Sequence, residues 1–285
     1  MVQPKLGPLG VFDSGLGGLT VVRSLRQRCP NENIIYLGDT ARVPYGTRSA
    51  STVIRYARGC ARLLTDRGVK ALVVACNTVS AVAVDILRAE LDIQVVGVVQ
   101  PGAAAAVRVA EAEARRTGGP PPKIGVLGTQ GTIHSGAYPR AVSISSTRLE
   151  VFGRAAPLLV PLVEEGWLEG QVPELAVERY VTQLLEDGAG VIVLGCTHYP
   201  LLRPIVEAVA ARLAGRTIPV VDSAEATSLV VCEMLKEGRI PCRLETDQGQ
   251  LELLVTDLPG GFQRSADLFL GEHTPEVHQV DLTMA

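Results

Sequence analysis

The chain has 285 residues, 47% hydrophobic and 20% charged, with 27 basic against 30 acidic side chains and a formal net charge of −3. That balance excludes a wholly disordered or collagen-like chain and a strongly basic nucleic-acid binder. The length suits two domains of ordinary size or one large one, and no stretch reaches the roughly 18 apolar residues of a membrane-spanning helix.

Short apolar runs alternate with longer helical patterns along the chain. The runs fall at 9–12, 34–37, 71–75, 95–99, 124–127, 149–152, 191–194 and 220–221. They are rich in Val and Ile and lack polar alternation, so they read as strands of parallel sheet buried on both faces. Between them, residues 16–28, 49–67, 78–91 and 200–213 carry helical spacing. Strand and helix repeated in this way predict an α/β architecture.

The chain is also weakly duplicated. Cys76 lies 66 residues after Gly10, and Cys196 lies 71 residues after Gly125, each at the end of an apolar run. The near-equal offset predicts two similar open parallel-sheet domains facing each other, with a site in the cleft between them. The first takes residues 1–99 plus 220–285 and carries Cys76; the second takes 100–219 and carries Cys196. Gly118-Gly-Pro-Pro-Pro122 reads either as a linker or as a surface turn between a helix and the next strand.

Six cysteines, at 29, 60, 76, 196, 232 and 242, are too sparse for a disulfide scaffold, and none forms a CxxC pair. The first seven residues hold no apolar core of a secretion signal. The expectation is a reducing cytoplasm with free thiols. Cys29, Cys60, Cys232 and Cys242 then read as structural or surface residues.

In open parallel sheets, ligands bind beyond the carboxyl ends of the strands. The first run is followed by Asp13-Ser14-Gly15-Leu16-Gly17-Gly18, and the second by Gly38-Asp39 and then Pro44-Tyr45-Gly46. Cys76-Asn77-Thr78, Gly128-Thr129-Gln130-Gly131-Thr132 and Gly195-Cys196-Thr197-His198 follow later runs. The glycine loop fails the GxGxxG count and no Walker motif occurs. It is either a tight strand-to-helix turn or a set of amides that holds an anion.

Either cysteine alone reads as a buried structural residue. Their equivalent positions point further, because a helix N-terminus lowers a thiol's pKa. A thiolate and a thiol on opposite walls form an acid–base pair that inverts a carbon acid. The alternatives are a redox disulfide and a metal site; His198 is the one plausible third ligand, and no spacing supports it. Asp13 is a proton partner or a helix cap. His198 is a proton shuttle or a histidine at a helix start. Glu164 and Glu165 read on their own as a solvated helix end.

Five segments together resemble the cofactor-independent, two-cysteine glutamate racemases. They are Phe12-Asp-Ser-Gly-Leu-Gly-Gly-Leu-Thr20, Gly38-Asp-Thr-Ala-Arg-Val-Pro-Tyr-Gly46, Ala75-Cys-Asn-Thr78, Gly128-Thr-Gln-Gly-Thr132 with Ser135 and Tyr138, and Gly195-Cys-Thr-His-Tyr-Pro-Leu-Leu202. Pro161-Leu-Val-Glu-Glu-Gly166 and Val221-Asp-Ser-Ala224 add to them. The resemblance implies a pair of α/β domains, usually in a homodimer, that interconvert L- and D-glutamate without pyridoxal phosphate or metal. It implies a cytoplasmic enzyme that supplies D-glutamate for peptidoglycan, and so for cell wall biogenesis and cell shape, with no nucleic-acid or membrane partner.

The same resemblance assigns residues. Cys76 is the base toward D-glutamate and Cys196 toward L-glutamate. Asp13 assists Cys76, and His198 with Glu165 assists Cys196. Asp13, Ser14, Tyr45, Gly46, Asn77, Thr78, Thr197 and His198 bind substrate, with Thr129 and Thr132 in an outer ring. Val79 stands where many members carry Ala, an apolar change one residue from the binding pair. An aspartate racemase usually reads Cys-Thr-Glu at the second motif, so His198 favours glutamate. A two-domain amino-acid binding protein without catalysis is the alternative from another class.

Overall fold

The computed structural model describes residues 6–243, 247–258 and 262–282. Residues 1–5, on which part of the leader reading rests, and residues 244–246, 259–261 and 283–285 of the expected first domain lie outside the described residues.

The chain opens β1 (Leu9–Asp13), α1 (Leu19–Arg28), β2 (Ile34–Gly38), α2 (Ala50–Asp66), β3 (Ala71–Val74), α3 (Asn77–Glu90) and β4 (Gln94–Gly97). Alternate strand residues face opposite ways. Leu9, Val11, Ile34, Tyr36, Ala71 and Val73 therefore pack into one apolar cluster, while Phe12, Ile35, Leu37, Leu72 and Val74 pack into another on the other face. Burial on both sides is why these strands read as unbroken apolar runs. Local signals set the helix ends. The Ser49 hydroxyl caps α2 by accepting from the Thr52 amide at 3.3 Å. Gly68, with a φ of 75°, lets the chain turn out of that helix.

A second series follows: α4 (Val99–Thr117), β5 (Lys123–Gly128), α5 (Gln130–His134), α6 (Ala137–Ser145), β6 (Val151–Ala155), α7 (Leu159–Glu164), α8 (Gln171–Glu186), β7 (Ala189–Gly195), α9 (Arg203–Ala214) and β8 (Val220–Asp222). Gly118 ends α4 in the left-handed conformation. The Gly-Pro-rich segment after it is thus the surface turn between helix and strand. The chain closes with α10 (Ser223–Lys236), β9 (Leu251–Val255), α11 (Phe262–Leu270) and β10 (Val277–Gln279).

Two sheets result, ordered β10-β9-β2-β1-β3-β4 and β6-β5-β7-β8. Every strand pairing in them is parallel. Within both sheets, the first four strands of each series take the same spatial order: second, first, third, fourth. The duplication seen as a sequence offset is therefore a repeated topology. The order reverses between β1 and β3 and again between β5 and β7, where such sheets bind ligands at their carboxyl ends.

Three expectations change. Val220–Asp222 pairs with β7 in the second sheet, so the return to the first sheet comes after Asp222 rather than at Pro219. The strand expected at 149–152 is Val151–Ala155, whose five residues are only half-buried and so lack a firm apolar register. Val99 begins α4 instead of ending β4. β9 and the edge strand β10 were not among the expected strands.

The expectation of free thiols also fails at one place. Cys29 caps the end of α1, Cys232 sits on α10, and the packing of these helices brings the two into a disulfide with Cα atoms 6.2 Å apart. Cys60, Cys76, Cys196 and Cys242 are free. The bridge closes a loop 203 residues apart in sequence, so it restricts the unfolded chain strongly. Thiol titration of denatured, unreduced protein is expected to find four thiols, and six after reduction. Reduction should cost about 2–4 kcal/mol, read as a lower Tm.

Candidate active site

The carboxyl ends of β1, β3 and β7 converge on a cavity of about 350 Å³. Ser14, Cys76, Asn77 and Thr78 line it from the first sheet, and Cys196, Thr197 and His198 from the second. The loop after β2 adds Tyr45 and Gly46. Of the expected site residues, Asp13 sits just behind this wall, and Glu165 is not part of it. Among the described residues, no lysine or arginine lines the cavity.

The two halves meet at glycines. A Cβ on Gly17 would overlap the Thr197 hydroxyl and lie 2.6 Å from His198 Nδ1. Thr20, one turn on, donates its hydroxyl to the carbonyls of Gly17 at 2.8 Å and Thr197 at 3.1 Å. A Cβ on Gly18 would lie 2.5 Å from Asp13 Cβ. The glycine loop is thus a close-approach surface between halves. Across the cavity mouth, the Gly131 amide donates to the Gly46 carbonyl at 2.8 Å. Nearby the hydroxyls of Thr78, Thr129 and Thr132 bond one another at 2.8–3.3 Å.

Cys76 is the N-cap of α3 and 5% exposed, with Sγ 3.5 Å from the Ser14 hydroxyl. Its position at a helix start was expected to lower its pKa. Burial instead dominates, and with the Asp13 carboxylate nearby it pushes the thiol up to about 12. Asp13 is 1% exposed, and its Oδ2 accepts from the Gly15 amide at 3.0 Å. Burial raises its pKa against the opposing pull of His198 and of the Gly15, Gly18 and Ser14 amides. Its other oxygen, Oδ1, is buried with no hydrogen-bond partner.

Cys196 has a different neighbour. Its Sγ lies 3.9 Å from His198 Nδ1, while His198 Nε2 lies 3.0 Å from Glu164 Oε1. The ring of Phe269, from α11, meets the imidazole edge-on at 5.1 Å. Burial works against charge on His198, but Cys196 and Glu164 outweigh it and raise the pKa to about 10. At neutral pH the histidine is therefore a cation. One thiol lies beside a buried aspartate and the other beside a histidine whose charged form is favoured.

The partner of His198 is Glu164, not Glu165. Leu162 and Val163 face the core, and Pro157, Val160, Pro161 and Glu164 all line the cavity. These four stand at spacings of three, four and seven, the signature of one helical face. Glu165 is turned about 100° away. That stripe, readable in the sequence, was the missed signal. The apolar wall it forms, with Val43 and Pro44 opposite, was missed with it.

Tyr45 owes its place to a buried cluster. Its hydroxyl donates to Asp39, which is fully buried and also accepts from Arg42 at 2.6 Å and from the Thr256 hydroxyl at 2.7 Å. Thr256 directly follows β9.

Residues 12–229 match the family model Asp/Glu/Hydantoin racemase. The chain belongs to the Asp/Glu/hydantoin racemase family. It is 45% identical to the glutamate racemase of Geobacter metallireducens, over 96% of each chain. The crystal structure of glutamate racemase from Thermus thermophilus, in complex with β-chloro-D-alanine, is 41% identical and superimposes with a TM-score of 0.81 over 98% of both chains. The Francisella tularensis enzyme in complex with D-glutamate is 32% identical, with a TM-score of 0.85 and the same coverage. As a member of this racemase family, the chain is an isomerase with two parallel-sheet halves.

The Glu164 contact predicts a titration. Replacing the carboxylate in Glu164→Gln should lower the His198 pKa by about one pH unit, a modest change because Glu164 is half exposed. Glu165→Gln should leave it in place. Proton NMR of the ring signals, with His198 assigned by its loss in His198→Asn, reads both. A raised histidine pKa stabilises the fold fully below its unfolded value of about 6.5. That contribution is lost as pH rises through about 10.

Proposed function

We propose that this chain is a glutamate racemase that interconverts L- and D-glutamate by two-base proton transfer. The observation that carries the reading is the pair of buried, free thiols, each following the third strand of its own series and both lining one cavity. Relatives named as glutamate racemases, and the D-glutamate complex of the Francisella enzyme, support the substrate.

In the proposed step, one cysteine thiolate takes the α-proton and the C–H electron pair stays on carbon. The opposite thiol then gives its proton to the other face. Atoms balance, and the two sulfurs exchange protonation states. Cys196 is the base toward L-glutamate and Cys76 toward D-glutamate. Asp13 moves protons beside Cys76, and His198, held by Glu164, does so beside Cys196. The N-termini of α1 and α3 and the hydroxyls of Ser14, Thr78 and Thr197 offer donors to the substrate's carboxylates. Such fixed donors suit a developing carbanion, since they need no reorganisation as charge forms.

The reading assigns no pyridoxal phosphate and no metal. The cavity wall has no lysine to hold the former, and no group of three or more His, Cys, Asp or Glu side chains suited to a metal occurs among the described residues. D-Glutamate made here would feed peptidoglycan, and so cell wall biogenesis and cell shape, from the cytoplasm, with the enzyme as a homodimer.

The two enantiomers have equal free energy, so kcat/KM must be equal in both directions for every variant. Differences between the bases appear instead in hydrogen exchange. In deuterium oxide, metal-free and pyridoxal-free protein should exchange the α-proton of glutamate and invert it, with aspartate inert. Cys76→Ala and Cys196→Ala should each cut inversion by about 10³-fold or more. Residual exchange should be confined to L-glutamate in Cys76→Ala and to D-glutamate in Cys196→Ala. Binding without exchange by the unaltered protein would favour the binding-protein reading, and turnover of aspartate alone would move the substrate.

A further inference from the structure

Behind the cavity lies a hydrogen-bond chain that no step above uses. The Tyr138 hydroxyl donates to Asn77 Oδ1 at 2.8 Å, Asn77 Nδ2 donates to the Ser223 hydroxyl at 3.3 Å, and Ser223 donates to the Leu194 carbonyl at 3.0 Å. Asn77 is 2% exposed and follows Cys76 directly, while Tyr138 and Ser223 lie beside the second sheet, on α6 and at the start of α10.

The Ser223 side chain also hydrogen-bonds Tyr138, and the Leu194 carbonyl sets the direction of the chain as its contacts stand. A main-chain carbonyl only accepts, so the Ser223 hydroxyl spends its proton on Leu194 and faces Asn77 as an acceptor. The nitrogen of the Asn77 amide must then face Ser223, and its oxygen must face Tyr138. One Nδ2 hydrogen is left without a partner among the described residues, and Asn77 lines the cavity. That hydrogen is the donor the amide has left to offer the cavity.

Tyr138 is itself closely packed around its hydroxyl end. A Cβ on Gly102 of α4 would lie 3.3 Å from its hydroxyl, and one on Gly195 would lie 3.2 Å from its ring. Gly195 directly precedes Cys196. The tyrosine thus spans from the residue beside one thiol to the residue beside the other.

We infer that Tyr138 and Ser223 are positioning residues that lock the Asn77 amide, so that its free N–H serves as a donor to a substrate carboxylate beside Cys76. This rests on the reading of the chain as a glutamate racemase. Losing the Tyr138 donor leaves a buried amide oxygen unpaired and frees the amide to rotate.

Tyr138→Phe keeps the ring and removes only the hydroxyl. It should reduce kcat/KM for glutamate about 10- to 100-fold, largely through KM. In an Asn77→Ala background the same substitution should change kcat/KM less than about twofold, because the residue it acts through is gone. Ser223→Ala should behave alike in both backgrounds, and it carries the test should Tyr138→Phe fail to fold. Unaltered kcat/KM in the single variants, or effects that multiply fully with Asn77→Ala, would overturn the inference. A signature independent of turnover is the Asn77 side-chain amide pair in nitrogen–proton NMR, assigned by its loss in Asn77→Ala. It should move in Tyr138→Phe, and an unmoved pair would count against the lock. Absence of glutamate turnover in the unaltered protein would instead strike the reading beneath it, leaving the amide signal to decide the lock alone.

Discussion

Gly17 has no room for a side chain, and the shared cavity follows from that. Any Cβ there meets Thr197 and His198 from the other half of the molecule. With hydrogen in its place, the turn after β1 reaches the turn after β7, and Thr20 bonds across the contact. The strand ends that carry Cys76 and Cys196 then open onto one space instead of two separate clefts. Gly46 and Gly131 make a similar contact at the mouth. Packed interiors respond to the addition of even one methyl group, so the spacing between the thiols is set by the smallest residues near them.

The environment this creates is largely buried and electrostatically uneven. Asp13 and His198 are both buried, burial raising the pKa of the first and Cys196 and Glu164 raising that of the second, with Cys76 nearer Asp13 and Cys196 nearer His198. In a medium of low dielectric, such neighbours decide where a proton rests. Cys76 holds its proton firmly in the free protein. Charge brought in by a bound amino acid therefore shapes the site as much as the side chains do. Glu164, half exposed at the rim, is the point where that buried charge meets solvent.

Much of this was legible in the sequence wherever a residue type and its neighbours decide the outcome. Strands buried on both faces announce themselves as apolar runs, and small polar groups beyond them mark a ligand site. The Cys76–Cys196 correspondence survived because duplication preserved both the motif and its place in the topology. What stayed hidden depends on partners far along the chain. β9 joins β2 across more than 200 residues, and β10 then adds to β9. Cys29 and Cys232 carry no local mark of their pairing. β6 is only half-buried, so its run was placed early. Glu164 was mistaken for Glu165 because neighbouring acidic residues look alike until the helix phase is read from Pro157, Val160 and Pro161.

The last third of the first sheet has a consequence for synthesis. Asp39 holds Tyr45 at the cavity, but Thr256 helps to hold Asp39, and Phe269 supports the His198 ring. Residues near both cysteines therefore rely on a segment that leaves the ribosome after both of them. The second half, continuous from α4 to β8, can collapse around its own sheet while translation continues. The first half cannot finish until β9 and β10 arrive. At the usual pace of elongation, about 5–20 residues per second, the gap between emergence of Cys76 and of Phe269 is on the order of ten seconds or more. Over that interval Cys76, and later Cys196, exist in the nascent chain without the completed pocket that governs their protons.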